Sequence, residues 1–183
     1  AWYQGGLSII DFTDSENPFE IAYFDRGPVD EEHLILGGYW STYWYDGRIY
    51  GTEIARGLDV FAMVPSEHLT ENEIAAAKLA DQGAMFNPQQ QFQVTWPADP
   101  VVARALIDQL QRDEALADGT RQDLLALLDT AATGLAKGER DRVLSKQLRS
   151  SARGLKLETR TAQTERRLEL LKDNLSAMAA KLR

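Results

Sequence analysis

The sequence predicts an α+β protein: an antiparallel β segment over residues 1–64, then a small C-terminal helical bundle over residues 98–183. Three observations carry this expectation. Up to Val64 the apolar and aromatic residues fall in short runs separated by turn residues, the pattern of strands. From Leu69 onward they recur at three- and four-residue spacing, the pattern of amphipathic helices. The charge changes along with the period. Residues 1–100 hold four Lys/Arg and sixteen Asp/Glu, whereas residues 101–183 hold sixteen and twelve. Such asymmetry implies two units with different surfaces, attracted to each other or to partners of opposite sign.

The elements follow in order. "LSIIDF" (7–12) and "FEIAYF" (19–24) read as strands, separated by the turn cluster "TDSENP". Trp2-Tyr3 reads as the inside of an earlier strand. "STYWY" (41–45) and "RIYGTE" (48–53) flank Asp46-Gly47. Two aromatic and β-branched runs around Asp-Gly are the strongest short-range signal for a type I′ hairpin. After a short "ARG" turn, "GLDVFAMV" (57–64) supplies the third strand of a meander. Alternation puts Ser41, Tyr43 and Tyr45 on one face, with Thr42 and Trp44 on the other.

Residues 65–97 read as a short helix followed by a connector. Thr70 to Glu73 has the form of a capping box opening "EIAAAKLA", with a stop at Gly83. Pro88 and Pro97 exclude helix from 84–97. Asp99-Pro100 then gives an N-cap followed by Pro at the first helical position, ahead of Val102, Leu106 and Leu110. Thr120 with Asp123 reads as the cap of a helix carrying Leu124, Leu128, Ala131 and Leu135 and ending at Gly138. A third helix carries Leu144, Leu148, Ala152 and Leu155. The last presents Leu168, Leu171, Leu175, Met178 and Leu182, a heptad-like stripe suited to bundle packing or to association with another helix.

A shift of 51 residues lays "YQGGLSII" (3–10) over "IARGLDVF" (54–61). A period near 50 with several strands per unit suggests propeller blades, so the β segment is expected to be a propeller blade segment. "GGLSIIDFTDSENPFEIAYFDRGP" (5–28) resembles the LVIVD repeat, in which a Gly-Leu-x-Val-Ile-Asp strand precedes a Pro-ending turn and a second strand. "GGYWSTYWYDGRIYGTEIARGLDVF" (37–61) looks like the closing blade of actinobacterial LVIVD-repeat proteins. That resemblance, over residues 1–76, implies a secreted or surface-associated β-propeller with no generally assigned activity. "ALIDQL" (105–110) and "LLALLDTAATGLAKG" (124–138) are similar to the FIMAH module, a helical domain appended to bacterial surface proteins. Beyond Gly138 the module's Asn-rich third helix is replaced by "ERDRVLSKQLRSSARG". A propeller needs several four-stranded blades, and 64 residues supply little more than one. The chain is therefore expected to be the C-terminal fragment of a propeller. Its sheet would be completed by an N-terminal piece, another subunit or another copy.

Composition narrows the chemistry. The chain has 183 residues, 44% hydrophobic and 26% charged, with a net charge of −8, as expected of a folded domain. It holds no cysteine, which removes disulfides and thiolate chemistry, and only two histidines, His33 and His68, which read as surface residues. No apolar run approaches the roughly 20 residues of a membrane span. Gly-rich phosphate loops, Gly-x-Ser-x-Gly and His-Glu-x-x-His are all missing, so no catalytic residue, cofactor or metal is expected. Asp14, Glu16 and Asn17 are oxygen-rich but lack the Gly and terminal Glu of a calcium loop. Asp30, Glu31 and Glu32 read as a solvated turn, and Arg56 as a structural partner of Glu53. Residues 139–183 carry twelve Lys/Arg and six Asp/Glu but no aromatic residue, which favours an acidic protein surface over nucleic acid.

These readings lead to a non-enzymatic interaction or scaffold protein. The alternative is a carbohydrate-binding or hydrolytic propeller that uses the aromatic run 39–50, through Tyr43, Trp44 and Tyr45, with Glu53 and Asp59 as carboxylates. A third reading makes the stripe from Leu168 to Leu182 an interaction helix that recruits the chain to a larger assembly. Exposure of the three rings around a carboxylate-bearing cavity would favour the alternative. An exposed Leu168/Leu171/Leu175 face would favour the third.

Overall fold

The structure is a computed structural model and describes residues 1–83, 85, 87, 94–138 and 140–183. Most of the expected connector over 84–97 therefore lies outside the described residues. The chain divides into two compact units, one of residues 1–69 and 81–94, the other of residues 70–80 and 95–183. The fold is mixed α+β, with two small antiparallel sheets in the first unit and five helices in the second among the described residues. Among the described residues no helix is long and apolar enough to cross a membrane.

In the first unit, β1 (Leu7–Asp11) pairs with β2 (Phe19–Phe24), and β3 (Tyr39–Tyr45), β4 (Arg48–Glu53) and β5 (Gly57–Phe61) form a meander. Asp46 and Gly47 both take positive φ, 48° and 70°, as the two central residues of a type I′ turn must. The hairpin closes with Tyr45 opposite Arg48, as the Asp-Gly signal requires. A bulge between Tyr39 and Ser41 shifts the start of β3. The expected strand at Trp2-Tyr3 is replaced by a turn. Gly6 donates to the Tyr3 carbonyl at 3.0 Å, and Tyr3, at φ 54°, makes only an isolated bridge to Tyr39. The third strand stops at Phe61 rather than Val64.

The core of this unit is small. Leu7, Tyr39 and Ile49 are buried, with Ile9, Phe24, Trp44, Phe61 and Met63 packed around them. Residues of both sheets contribute to it.

The second unit begins with α1 (Glu71–Ala77), entered through the capping box read from the sequence. Thr70 Oγ1 accepts from the Glu73 amide, and the Glu73 carboxylate accepts from the Thr70 amide at 2.7 Å. The box also ties α1 to α2 (Pro100–Arg112). The Thr70 hydroxyl donates to Asp108 at 2.7 Å, and Arg112 pairs with Glu73. The short helix thus belongs to the helical unit by contact, although in sequence it stands with the connector. On α2 the expected residues Val102, Leu106 and Leu110 are buried, but so are Ala103 and Ile107. The helix is covered on several sides, by α1, α3 and α5.

α3 (Asp118–Lys137) starts two residues before the expected Thr120 cap and has no side-chain cap. Ala115 and Leu116, both buried, anchor the chain there and lead straight into the helix. Its end at Gly138, in the left-handed region with φ 66°, is the expected one. α4 (Arg142–Gly154) and α5 (Ala162–Lys181) form a packed hairpin. Ser145 donates to the Ala179 carbonyl at 2.6 Å, and the Asp141 amide donates to the Leu182 carbonyl at 2.9 Å. A second capping box, Thr161 with Thr164, opens α5.

The stripe anticipated as an interaction helix is core. Leu168, Leu171, Leu175, Met178 and Leu182 are all buried in one cluster with Leu144, Leu148 and Ala152. The heptad-like spacing finds its partner helices within the chain, which removes it as a docking face.

Candidate functional site

The register of the three-stranded sheet sorts the aromatic run onto two faces. Directly opposed residues share a face. One face therefore carries the rows Trp44–Ile49–Phe61, Thr42–Gly51–Asp59 and Tyr39–Glu53–Gly57. It is the face that packs on the small core. The other carries Tyr43–Tyr50–Val60 and Ser41–Thr52–Leu58. Tyr43, Leu58 and Val60 are exposed there. Tyr43 and Trp44 thus point to opposite sides of the sheet. Tyr45 lies beside the turn, half-buried, opposite Arg48. The three rings do not form one platform.

The core-facing side holds a polar network. Gly51 has no side chain, and the Tyr39 ring fills the space above it. A Cβ at Gly51 would meet Tyr39 Cδ1 at 2.8 Å and Cε1 at 2.9 Å. Crossing Gly51 brings the Tyr39 hydroxyl to Asp59, the register partner of Gly51, where it donates to Oδ2 at 2.6 Å. Arg26, just beyond β2, reaches the other oxygen of Asp59 at 2.7 Å. The Tyr39 ring makes edge contacts with Phe24 and Phe61 at 6.3 and 5.7 Å. Sheet β1–β2 and sheet β3–β5 are joined by rings and by one tyrosine–aspartate–arginine chain.

Glu53, 4% exposed, organises the turn at the end of β4. Its carboxylate accepts from the amides of Gly38 at 2.7 Å, Ala55 at 2.9 Å and Arg56, and lies 3.5 Å from the Arg56 guanidinium. Arg56 in turn donates to the Pro28 carbonyl at 3.1 Å. The expected Glu53–Arg56 ion pair is present.

Electrostatics follow from these contacts. Burial works against the Glu53 carboxylate, but the amides of Gly38, Arg56 and Ala55 outweigh it and hold its pKa below the usual range. The Tyr39 hydroxyl lowers the pKa of Asp59 more than any other neighbour, and Arg26 adds to this against burial. Burial, then the bond to anionic Asp59, raises the Tyr39 phenol well above its ordinary value. Both carboxylates are therefore ionised at neutral pH and occupied by donors. A glycosidase acid needs a raised pKa instead. The arrangement serves as a structural clasp.

The remaining sequence-predicted positions are local turns. Asp14 accepts from the Glu16 amide at 3.0 Å and from Asn17 Nδ2 at 2.9 Å. Asp30 accepts from the amides of Glu32 and His33 and lies 3.0 Å from His33 Nδ1. His68 stands edge-on to Phe19 at 5.4 Å. Among the described residues, no group of three or more His, Asp or Glu is gathered as metal donors.

In the helical unit an open cleft of about 500 Å³ is lined by Asp129, Thr133, Lys137, Arg140, Asp141 and Leu144, among others. Its polar groups are largely committed. Asp141 caps α4, Asp129 pairs with Arg104 at 2.5 Å, and the Thr133 hydroxyl donates to the Asp129 carbonyl.

Sequence reasoning missed Tyr39, Arg26 and Gly51. The signal for Gly51 lay in the predicted meander itself, where a glycine in a middle strand marks a close approach. Arg26 sits after β2 and far from Asp59 in sequence, so no local pattern pointed to it. Compared with protein-family models, curated proteins and solved structures, the chain showed no match, which leaves the LVIVD and FIMAH likenesses resting on the residues that suggest them.

Proposed function

We propose that this chain is a non-enzymatic interaction or scaffold protein whose β unit is completed by a further polypeptide, with the helical bundle as its folded companion module. The observation that carries this reading is the imbalance of burial in the β unit. Among the described residues, three apolar ones are buried there. Many large ones lie open, including Trp2, Phe12, Phe19, Tyr23, Leu36, Trp40, Tyr43, Leu58 and Val60. Exposed apolar surface of this extent marks an interaction site. Full burial of each such side chain is worth about 1.5–3 kcal/mol.

The helical unit offers the contrast, with one continuous buried cluster running through its helices. The three-stranded sheet is one strand short of a propeller blade, and its outer strands β3 and β5 pair with no further strand among the described residues beyond the Tyr3 bridge to Tyr39, which leaves room for strand addition. This agrees with a propeller portion in which neighbouring blades cover the outer face. The LVIVD likeness is the support for reading it as a protein that works outside the cell or on its surface.

The test is the association state of the purified chain, by light scattering on size-exclusion chromatography with mass spectrometry of the peak. We expect concentration-dependent self-association or a companion polypeptide. Charge on the outer face, as Leu58→Glu with Val60→Lys, reduces it while far-UV circular dichroism is unchanged. A compact monomer at all concentrations, with no companion and no binding of a hydrophobic dye, overturns the reading.

A further inference from the structure

Helix α4 carries four cations and no acid in thirteen residues. Arg142, Lys146, Arg149 and Arg153 follow at i, i+4, i+7 and i+11, which puts them on one face along about 16 Å of helix. A different face, with Leu144, Leu148 and Ala152, is buried against the bundle. Arg142, Lys146 and Arg153 are exposed and Arg149 is half-exposed.

Elsewhere in this unit Arg104, Arg112, Arg160 and Arg167 are matched to Asp129, Glu73, Glu165 and Asp113, whereas Arg121, Arg140, Arg166 and Arg183 make no such pair among the described residues. Among the described residues, no carboxylate lies within ion-pair distance of the four α4 cations. Arg153 donates only to the Arg149 backbone carbonyl, at 3.3 Å. Four like charges on adjacent turns repel one another, a cost that a bound anionic surface removes.

We propose that this stripe is a docking surface for an acidic helical segment of a partner protein, with carboxylates at the same i, i+4, i+7, i+11 period. The inference does not depend on the β face described above. The matched period lets two helices lie side by side with each cation facing a carboxylate. Single-stranded nucleic acid is the less suitable occupant. Residues 139–183 contain no aromatic side chain on which a base could stack.

The test is fluorescence anisotropy of the full chain with labelled peptides in low salt. One is an alanine-based helical peptide of about 18 residues, long enough to hold a helix, with Glu at the four stated positions. A second has the same composition with the Glu residues scattered around the helix, and a third probe is a single-stranded oligonucleotide. We expect the patterned peptide to bind most tightly, with an affinity that falls as salt is raised. Arg142→Glu with Lys146→Glu should weaken it about tenfold, since each exposed pair contributes modestly. Arg166→Glu, an exposed position on α5, should leave it within about twofold. Circular dichroism confirms that each variant is folded. Equal binding of the scattered peptide, tighter binding of the oligonucleotide, or no binding of the patterned peptide each overturns the proposal.

Discussion

Replacing Tyr39 by Phe removes a single hydroxyl from the centre of the β unit and leaves its ring in place. The ring still covers Gly51 and meets Phe24 and Phe61, so packing is retained. What is lost is the 2.6 Å bond to the Asp59 carboxylate. Hydrogen bonds to charged groups contribute about 1.5–3 kcal/mol. The Asp59 side chain is 21% exposed and keeps Arg26 at 2.7 Å, so water and the arginine recover part of the loss. The expected cost is about 1–2 kcal/mol, in the lower part of that range. For a unit of this size that is about 4–16 °C in Tm.

The assay is urea and thermal unfolding of the full chain by tryptophan fluorescence, because Trp44 packs on this core. Circular dichroism at 222 nm follows the helical unit separately. A second readout is pH. The phenol's raised pKa stabilises the fold fully below about pH 10, and the gain is lost progressively above it. The Phe variant lacks that alkaline loss. Asp59, whose lowered pKa depends chiefly on Tyr39, titrates closer to its ordinary value in the variant. The acid loss that Asp59 contributes still begins near its ordinary pKa of about 4 but is smaller in the variant. A variant as stable as the parent with an unchanged alkaline limb would show that the bond does not hold the unit together.

Three further outcomes follow from the same geometry. Gly51→Ala drives a methyl into the Tyr39 ring and should cost about 1–3 kcal/mol in the fluorescence transition, with the helical transition unmoved. Leu171→Ala, at a fully buried position, should cost about 2–5 kcal/mol, read in the 222 nm melt and not by Trp44. Glu53→Gln should abolish part of the acid sensitivity. In the parent, the lowered carboxylate pKa stabilises the fold above about pH 4 and the gain is lost as pH falls further. An acid-unfolding midpoint identical in parent and Gln variant would contradict that role.

Much of the local structure was legible because short-range chemistry decides it. Asp46-Gly47 dictates a type I′ turn, Thr70 with Glu73 a capping box, and Asp99-Pro100 a helix start, whatever surrounds them. The start of α3 was not legible. Two buried residues upstream, Ala115 and Leu116, override the Thr120 signal. The site was legible in part. Glu53 and Asp59 stood out as carboxylates of the aromatic segment, and alternation separated Tyr43 from Trp44. Their occupation by Tyr39, Arg26 and backbone amides depends on residues brought together across two sheets.

The sequence by itself determined the order of strands and helices, the tight turns and the apolar stripe of each helix, since these depend on neighbours one to four residues apart. Only the tertiary structure decided what each stripe faces. The Leu168–Leu182 stripe could serve a foreign helix or its own bundle, and it closes on α4 because antiparallel Leu144, Leu148 and Ala152 bury it within the chain. The aromatic run was likewise ambiguous until the register was known. Pairing fixes which rings turn toward the core, and burial there puts Trp44 and Tyr39 inside while Tyr43 stays open.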